Sequence, residues 1–334
     1  MAQLNTISQP EFTDLVRKTW TPMQDMVESN ALPLFINDPS VAEFTGKFKR
    51  YYEIDTETFA NRKGESEAAT KASAEVGYFV TMEMVRYAKE IDISWEMRRL
   101  NQYPVVVQQL HDLAHYCPER RELDLTHIFT FCLSTTYTDM DGETVNVAVG
   151  DSLAMVSASH TLSASSTTYT NIVPGNPQFS RGALESAELL MNTNIYNNFG
   201  ERRTRKFNTI VTGDNPTTVN DVKQFLQSTT DVDQNNPSVV NPYFRKYTHV
   251  MLPWMASTAT GANDSTKDKY WFVVAKGQWQ AYYGEWEPVR LITPSPGNNG
   301  ENVSTDDWTY GTRNARGHRV VSGKGLIHST GLGS

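Results

Sequence analysis

A mixed α+β fold is what this sequence predicts, and three observations lead there. Apolar residues recur at helical spacing in several stretches, as in Val106, Leu110, Leu113, Ala114 and Cys117. Short runs rich in aromatic and β-branched residues, above all Tyr270 to Ala275, read as buried strands. Two stretches, about Lys47 to Met82 with few core-forming residues in its middle, and everything from Pro294 onward with little core content, read as exposed appendages. A chain of 334 residues has room for two compact units.

The elements follow in order. From about Pro10 to Ser29, Phe12, Leu15, Val16, Met23, Met26 and Val27 predict an amphipathic helix, with Pro22 a candidate break and Pro33 its end. Lys47 to Met82 places charged and small residues between two aromatic-rich ends, with turn points at Gly64 and Gly77, and suits a long projecting hairpin. Val85 to Ile93 reads as a strand with Val85, Tyr87, Lys89, Ile91 and Ile93 on one face. Ser94 is placed to cap the next helix, and Pro104 kinks that helix or marks its true start. A further helix is predicted over Leu123 to Thr135, with Leu125, Ile128, Phe129 and Cys132 inward.

Beyond it, Val145 to Ile172 reads as short strands and loops. Ser180 caps a helix through Leu184, Ala187, Leu190 and Met191. Thr218, with Asp221 three residues later, is taken to open another through Val222, Phe225 and Leu226. Tyr247 to Trp254 and Tyr270 to Ala275 are strands, the second apolar enough to be central. The end, from Pro294, is expected to add little core.

Composition excludes several classes. With 20% charged and 39% hydrophobic residues the chain is a folded protein, not a disordered one. Its net charge of -8 argues against a dedicated nucleic-acid binder. No run approaches the roughly 18 apolar residues of a membrane span, and the first residues lack the positive start and apolar core of a secretion signal. Cys117 and Cys132, both in apolar stretches, read as buried reduced thiols. Without a secretory route, Asn263-Asp264-Ser265 and Asn302-Val303-Ser304 are chance matches to a glycosylation triplet.

Four patterns suggest chemistry, and each has a plainer reading. His111 and His115 stand at i and i+4 as in the H-E-x-x-H zinc motif, but the base position holds the shorter Asp112 and no third ligand has recognisable spacing; a solvated helix face is the reading kept. Asp139-Met140-Asp141-Gly142-Glu143 resembles part of a calcium loop without the glutamate at its twelfth position, so an Asp-Gly turn is expected. Ser152, Ser157 and His160 are close in sequence, but no G-x-S-x-G elbow accompanies them, and His160 is read as a hydrogen-bonded structural residue. Arg202, Arg203, Arg205 and Lys206 form a basic cluster beside Phe199 and Phe207, fit for phosphate or for acidic surface on a neighbouring subunit; the negative net charge favours the neighbour. No catalytic, cofactor-binding or metal-ligating residue is assigned, and no cofactor is expected.

This order of parts resembles the Hong Kong 97-type major capsid family of tailed bacteriophages. The most specific local match runs from Asp151 through Ser152, Met155 and Val156 to His160. It is similar to the D-G-x-x-L-F-x-x-x-H segment of one branch of that family, with Ser152 in the glycine place and Met155 and Val156 for the Leu-Phe pair. The Ser180 helix after a loop with Pro174 and Pro177, and the Tyr270 to Ala275 strand, are further matches.

The resemblance implies an α+β Hong Kong 97-like fold. Its parts would be an N-terminal arm (1–45), an extended loop (46–84) and a peripheral domain (85–145) with a spine helix over about 95–117. An axial domain (146–293) and a C-terminal segment returning to the peripheral domain (294–334) complete it. It implies a non-enzymatic shell subunit that self-assembles as pentamers and hexamers around double-stranded DNA held by non-specific contact, with no membrane. Portal, scaffolding or decoration proteins are further implied partners, with assembly in the host cytoplasm and residence in the virion. An encapsulin-like compartment is the alternative. Arg62, Lys63, Glu65, Glu67 and Lys71 of the extended loop are the expected inter-subunit contacts, and Arg202, Arg203, Arg205 and Lys206 a candidate inter-subunit or DNA-facing cluster. No cross-link through Lys63 or Lys71 is predicted, since that needs an acceptor on a neighbour and a catalytic acid.

Overall fold

The N-terminal periodicity is realised as helix α1 (Gln9–Asp25), which buries Phe12, Val16 and Trp20 on successive turns. The computed structural model describes residues 8–25, 28–57, 59–69, 71, 74–100, 103–230, 240–294 and 306–333, so Met26 and Val27 lie outside the described residues. The helix passes Pro22 unbroken: a proline there removes one backbone donor, and the helix absorbs it. Pro33 does not end this helix but lies in a separate 3-10 turn, Leu32–Leu34.

Strand β1 (Ile36–Asn37) leads to an antiparallel hairpin, β2 (Phe48–Thr56) and β3 (Ala74–Glu83). The expected hairpin is present, yet its root belongs to the core: Tyr51, Val80 and Met82 bury with Val41, Met84 and Val321. Strand β4 (Val85–Ile93) precedes a short helix α2 (Trp95–Arg99). Ser94 caps it as expected, its Oγ accepting from Met97 N at 3.2 Å.

The long helix α3 (Tyr103–Thr130) is separate, with Pro104 in its first turn, where a missing amide hydrogen is harmless. It also absorbs the second helix expected over Leu123 to Thr135, running through Pro118 as one rod of 28 residues, roughly 42 Å long. Packing explains the continuity. Before Pro118, Val106, Leu110 and Leu113 bury with Phe12, Ile93, Trp308 and Tyr310; after it, Leu125, Ile128 and Phe129 bury with Phe35, Phe272 and Trp279. Two cores hold the helix on either side of one lost backbone bond.

Short antiparallel pairs follow: β5 (Thr136–Thr138) with β6 (Thr144–Asn146), and β7 (His160–Thr161) with β8 (Thr168–Tyr169). Ser180 caps α4 (Arg181–Thr193) as expected, accepting from Ala183 N at 3.3 Å. After β9 (Thr209–Thr212) comes α5 (Pro216–Gln227), which starts before the expected Thr218. Asn215 is the cap, its Oδ1 accepting from Thr217 N at 3.0 Å, and Pro216 presets the first turn. The remaining strands are β10 (Thr248–Met251), β11 (Trp271–Val274), β12 (Ala281–Ile292), β13 (Trp308–Val320) and β14 (Leu326–Ser329).

Two four-stranded sheets result, ordered β10-β9-β11-β14 and β1-β12-β13-β4. β11 is internal, as its composition predicts, and all four of its residues are buried; α4 and α5 cover one face through Ala183, Leu184, Ala187, Val222 and Phe225. The expectation of little core beyond Pro294 is corrected. β13 is an internal strand, and Trp308, Tyr310, Ala315, Val320 and Leu326 are buried. Glycine and arginine there serve packing: a Cβ at Gly317 would meet the Glu83 carbonyl at 2.6 Å.

Arg316, 1% exposed, donates to Asp124 of α3 at 2.7 Å and lies over the Tyr87 ring at 4.1 Å. Arg120 binds the same carboxylate at 2.8 Å. Asp124→Asn removes the charge that compensates a buried guanidinium and should lower the unfolding free energy by about 3 kcal/mol, read from urea unfolding. A loss below about 1 kcal/mol would mean that Arg316 is neutralised from elsewhere.

Candidate functional site

The segment from Asp151 to His160 is a hydrogen-bonded turn. Asp151 Oδ1 accepts from Leu153 N at 3.0 Å, and Oδ2 lies 2.7 Å from His160 Nδ1. His160 is wholly buried and stacks on Tyr169 at 4.8 Å between ring centroids. Ser152, in the glycine place, sits at φ 66, the left-handed backbone that glycine takes freely; the turn is kept despite the substitution. His160 Nε2 is buried without a hydrogen bond among the described residues. His160 is buried and hydrogen-bonded to Asp151, as the sequence reading expected of it.

At the hairpin root the polarity of β2 is reversed. Glu53 and Asp55 point inward and are buried, while Tyr52 and Ile54 face out. Lys324, between β13 and β14, reaches in from the opposite side: its Nζ is 2.7 Å from Glu53 Oε1, 3.5 Å from Asp55 Oδ2 and 2.6 Å from Asn198 Oδ1. Asp55 also accepts from Arg203 Nη1 at 3.0 Å and Asn198 N at 3.1 Å. Sequence reasoning missed this cluster. Alternation in β2 shows that Glu53 and Asp55 share a face with Tyr51, but the apolar pair on the other face argues for the wrong side inward.

The basic segment is divided by the same contacts. Arg203 is turned to Asp55, and Arg205 Nη1 donates to the Gln278 carbonyl. Arg202 and Lys206 are exposed. In the hairpin tip Arg62, Lys63, Glu65, Glu67 and Lys71 are all exposed, with Glu67 Oε2 accepting from Gly64 N at 3.1 Å.

His111 and His115 are half-buried on α3, where a solvated face was expected. Asp112 accepts from Gln108 Nε2 at 2.9 Å, and among the described residues no group of three or more His, Cys, Asp or Glu is placed to hold a metal ion. Asp139 Oδ1 accepts from Asp141 N at 2.9 Å and Glu143 N at 3.0 Å, with Gly142 at φ 84, closing the expected Asp-Gly turn between β5 and β6. Among the described residues no helix is long and apolar enough to cross a membrane. Cys117 and Cys132 are free and buried.

Buried histidines disfavour the fold in acid. Burial pushes His127 down to about 4, against the pull of Asp124, and His328, stacked on Phe272, down to about 3. Burial also works against the Asp151 charge, but its contacts with His160 and the Leu153 and Thr161 amides hold that carboxyl below the ordinary range. Unfolded histidines take up protons near 6.5 while the buried pair stays neutral, so the folded state loses stability as pH falls below that point. Thermal melting should shift down steadily between neutral pH and about 4. A melting temperature unchanged over that window would mean that both imidazoles are solvated.

No protein-family model and no curated protein matches the chain. Solved structures do. The chain is similar to one from the capsid of a native GTA particle at a TM-score of 0.51, with 10% identity and 90% of each chain covered. It is similar to one from the capsid of Myoviridae Phage XM1 at 0.50, with 13% identity and 90% of each covered, and to one from the capsid of cyanophage Pam1 at 0.50, with 12% identity and 88% of this chain and 87% of that one covered. At such identities the likeness is one of backbone architecture: the chain has the α+β fold of phage capsid chains, the Hong Kong 97-type fold that its order of parts resembles.

Proposed function

We propose that the chain is the major capsid protein of a tailed bacteriophage, which self-assembles through pentamers and hexamers into an icosahedral shell around double-stranded DNA. The observation that carries this reading is a fold shared over 90% of the chain with subunits of assembled capsids. The hairpin supports it, because its tip is exposed throughout 59–69 and spends its charges on no private core. The encapsulin-like reading has no such support, since the neighbours named above are capsid chains.

In this reading residues 1–45 are the arm, 46–84 the extended loop, 85–145 the peripheral domain with α3 as spine, 146–293 the axial domain, and 294–334 the returning segment. Arg62, Lys63, Glu65, Glu67 and Lys71 contact neighbouring subunits, and the exposed Arg202 and Lys206 meet a neighbour or packaged DNA without reading its sequence. Portal, scaffolding or decoration proteins complete the particle, which assembles in the host cytoplasm.

Closed symmetry satisfies every subunit interface, so protein expressed with its scaffolding factors should sediment as large particles, seen by negative-stain electron microscopy as closed shells. Monomers or small oligomers alone would sink the reading. Deleting residues 58–74 should abolish shells while leaving circular dichroism and the melting transition near those of the full chain, because Phe59, the large apolar side chain of the described tip, is exposed. Each exposed charge pair contributes only about 0 to 1 kcal/mol, and repetition over a lattice makes the loss decisive. Normal shells from the deletion would show the tip to be dispensable.

A further inference from the structure

Strand β10 is the outer strand of its four-stranded sheet and pairs with β9 alone. Thr248 N donates to the Asn208 carbonyl and Leu252 N to the Thr212 carbonyl, each at 2.9 Å. Alternate residues of a parallel strand turn to opposite sides, so the backbone groups of His249 and Met251 face away from the sheet. Such an edge invites another chain, and proteins ordinarily guard it with a lysine, a proline or a bulge. Thr248, His249, Val250 and Met251 supply none of these, and their register with β9 is unbroken. Beside this edge a cleft of about 700 Å³ lies between α5 and the segment from Phe244 to His249. Lys223, Leu226 and Gln227 line it from the helix, and Phe244, Arg245 and His249 from the segment. We propose that the cleft and the β10 edge together bind an extended acidic peptide of another protein, which joins the sheet as an added strand.

Charge selects the sign of the partner. No carboxylate lines the cleft, and among the described residues neither Lys223 nor Arg245 forms an ion pair. In a chain with a net charge of -8, two cations left uncompensated at one cleft are a local exception. His249 adds no charge near neutral pH, because burial and the Lys223 ammonium push it down to about 4, and its ring is held by Thr212 Oγ1, 2.9 Å from Nε2. Arg245 stands at φ 54, a left-handed backbone that a residue with a side chain adopts at a cost. Its N–H donates to the Leu226 carbonyl at 3.0 Å, and its guanidinium lies over the Phe244 ring at 5.0 Å. The turn thus holds a cation and a 37% exposed aromatic ring side by side at the cleft, the two residue kinds that carry most of the binding energy at protein interfaces.

Backbone selects the class of the partner. A phosphate backbone offers acceptors to the two cations but no donors to the outward carbonyls of His249 and Met251. An extended peptide presents N–H and C=O groups in turn and satisfies both kinds along the edge. Its side chains alternate between faces, so every second residue points to the cleft side, where a carboxylate meets Lys223 or Arg245. Hydrogen bonds along β10 then give affinity, and the two cations give the preference for acid.

This inference does not rest on the shell reading, and its test reads binding by the purified full chain whether or not particles form. The probe is a fluorescein-labelled peptide of alternating glutamate and valine, about eight residues long, followed by fluorescence anisotropy. It should bind, and the same peptide with lysine for glutamate should not. Arg245→Gly removes a cation and suits the left-handed backbone, while Lys223→Gln keeps a good helix former on α5. Each should weaken binding about tenfold with the circular dichroism unchanged. N-methylation of the probe at one set of alternate residues should abolish binding, and at the other set should spare it. Equal effects from the two sets would overturn the added strand. No binding of the acidic probe, or binding untouched by both substitutions, would overturn the site. Self-association that Arg245→Gly abolishes, without binding of the probe, would give the cleft to a second copy and overturn the proposal. Displacement of the probe by an oligothymidylate of equal charge more readily than by unlabelled peptide would overturn it in favour of nucleic acid.

Discussion

Helix α3 is the constraint on which the rest depends, because one rod serves two hydrophobic cores. Its first half closes the layer formed by α1, β4 and β13, and its second half enters the core around Phe35, Phe129, Phe272 and Trp279, to which one sheet gives Val211, Phe272 and Val274 and the other Ala281, Tyr283 and Val320. At the crossing between those halves the helix carries Arg120 and Asp124, and β13 supplies Arg316 to the same carboxylate. A proline at position 118 is tolerated because displacement there would open both cores at once.

The hairpin is built the other way round from an ordinary amphipathic one. Its inner face buries Tyr51, Val80 and Met82 near the base but Glu53 and Asp55 farther along, while Phe48, Tyr52, Ile54, Val76 and Phe79 stand exposed. Burying two carboxylates is costly unless cations meet them, and Lys324 and Arg203 do. The consequence is a hairpin whose root is held both by apolar packing and by a charge cluster, with an apolar surface left exposed.

Legibility followed the physics of each element. Caps at Ser94 and Ser180 and the strand at Trp271–Val274 were readable because a local signal, a hydroxyl before an apolar run or an unbroken apolar stretch, was not opposed by anything distant. The joining of two predicted helices through Pro118 was not, since the packing that outweighs a proline is made by residues far along the chain. β13 was missed for a related reason: its glycines and arginines look like loop composition until Glu83 and Asp124 are seen against them. Of the basic segment, sequence showed the charge but not that Arg203 is committed to Asp55, a partner in a distant strand. The cluster of Glu53, Asn198 and Lys324 joins three distant segments, and no spacing rule connects them.

Under the proposed reading, the exposed apolar row and the charged tip divide the work of assembly. Phe48, Ile54, Val76 and Phe79 supply a contiguous kind of surface that isolated soluble proteins keep small, and its burial against a neighbour gives attraction without direction. The tip charges contribute little energy apiece in water, but they impose sign and register on the contact. A rigid root makes that division effective, because a contact surface held by buried charges at its base loses less conformational freedom on docking than one on a free loop. In this reading the buried cluster at Lys324 and the apolar packing of Tyr51, Val80 and Met82 hold the root together, and the exposed face beyond it meets the neighbour.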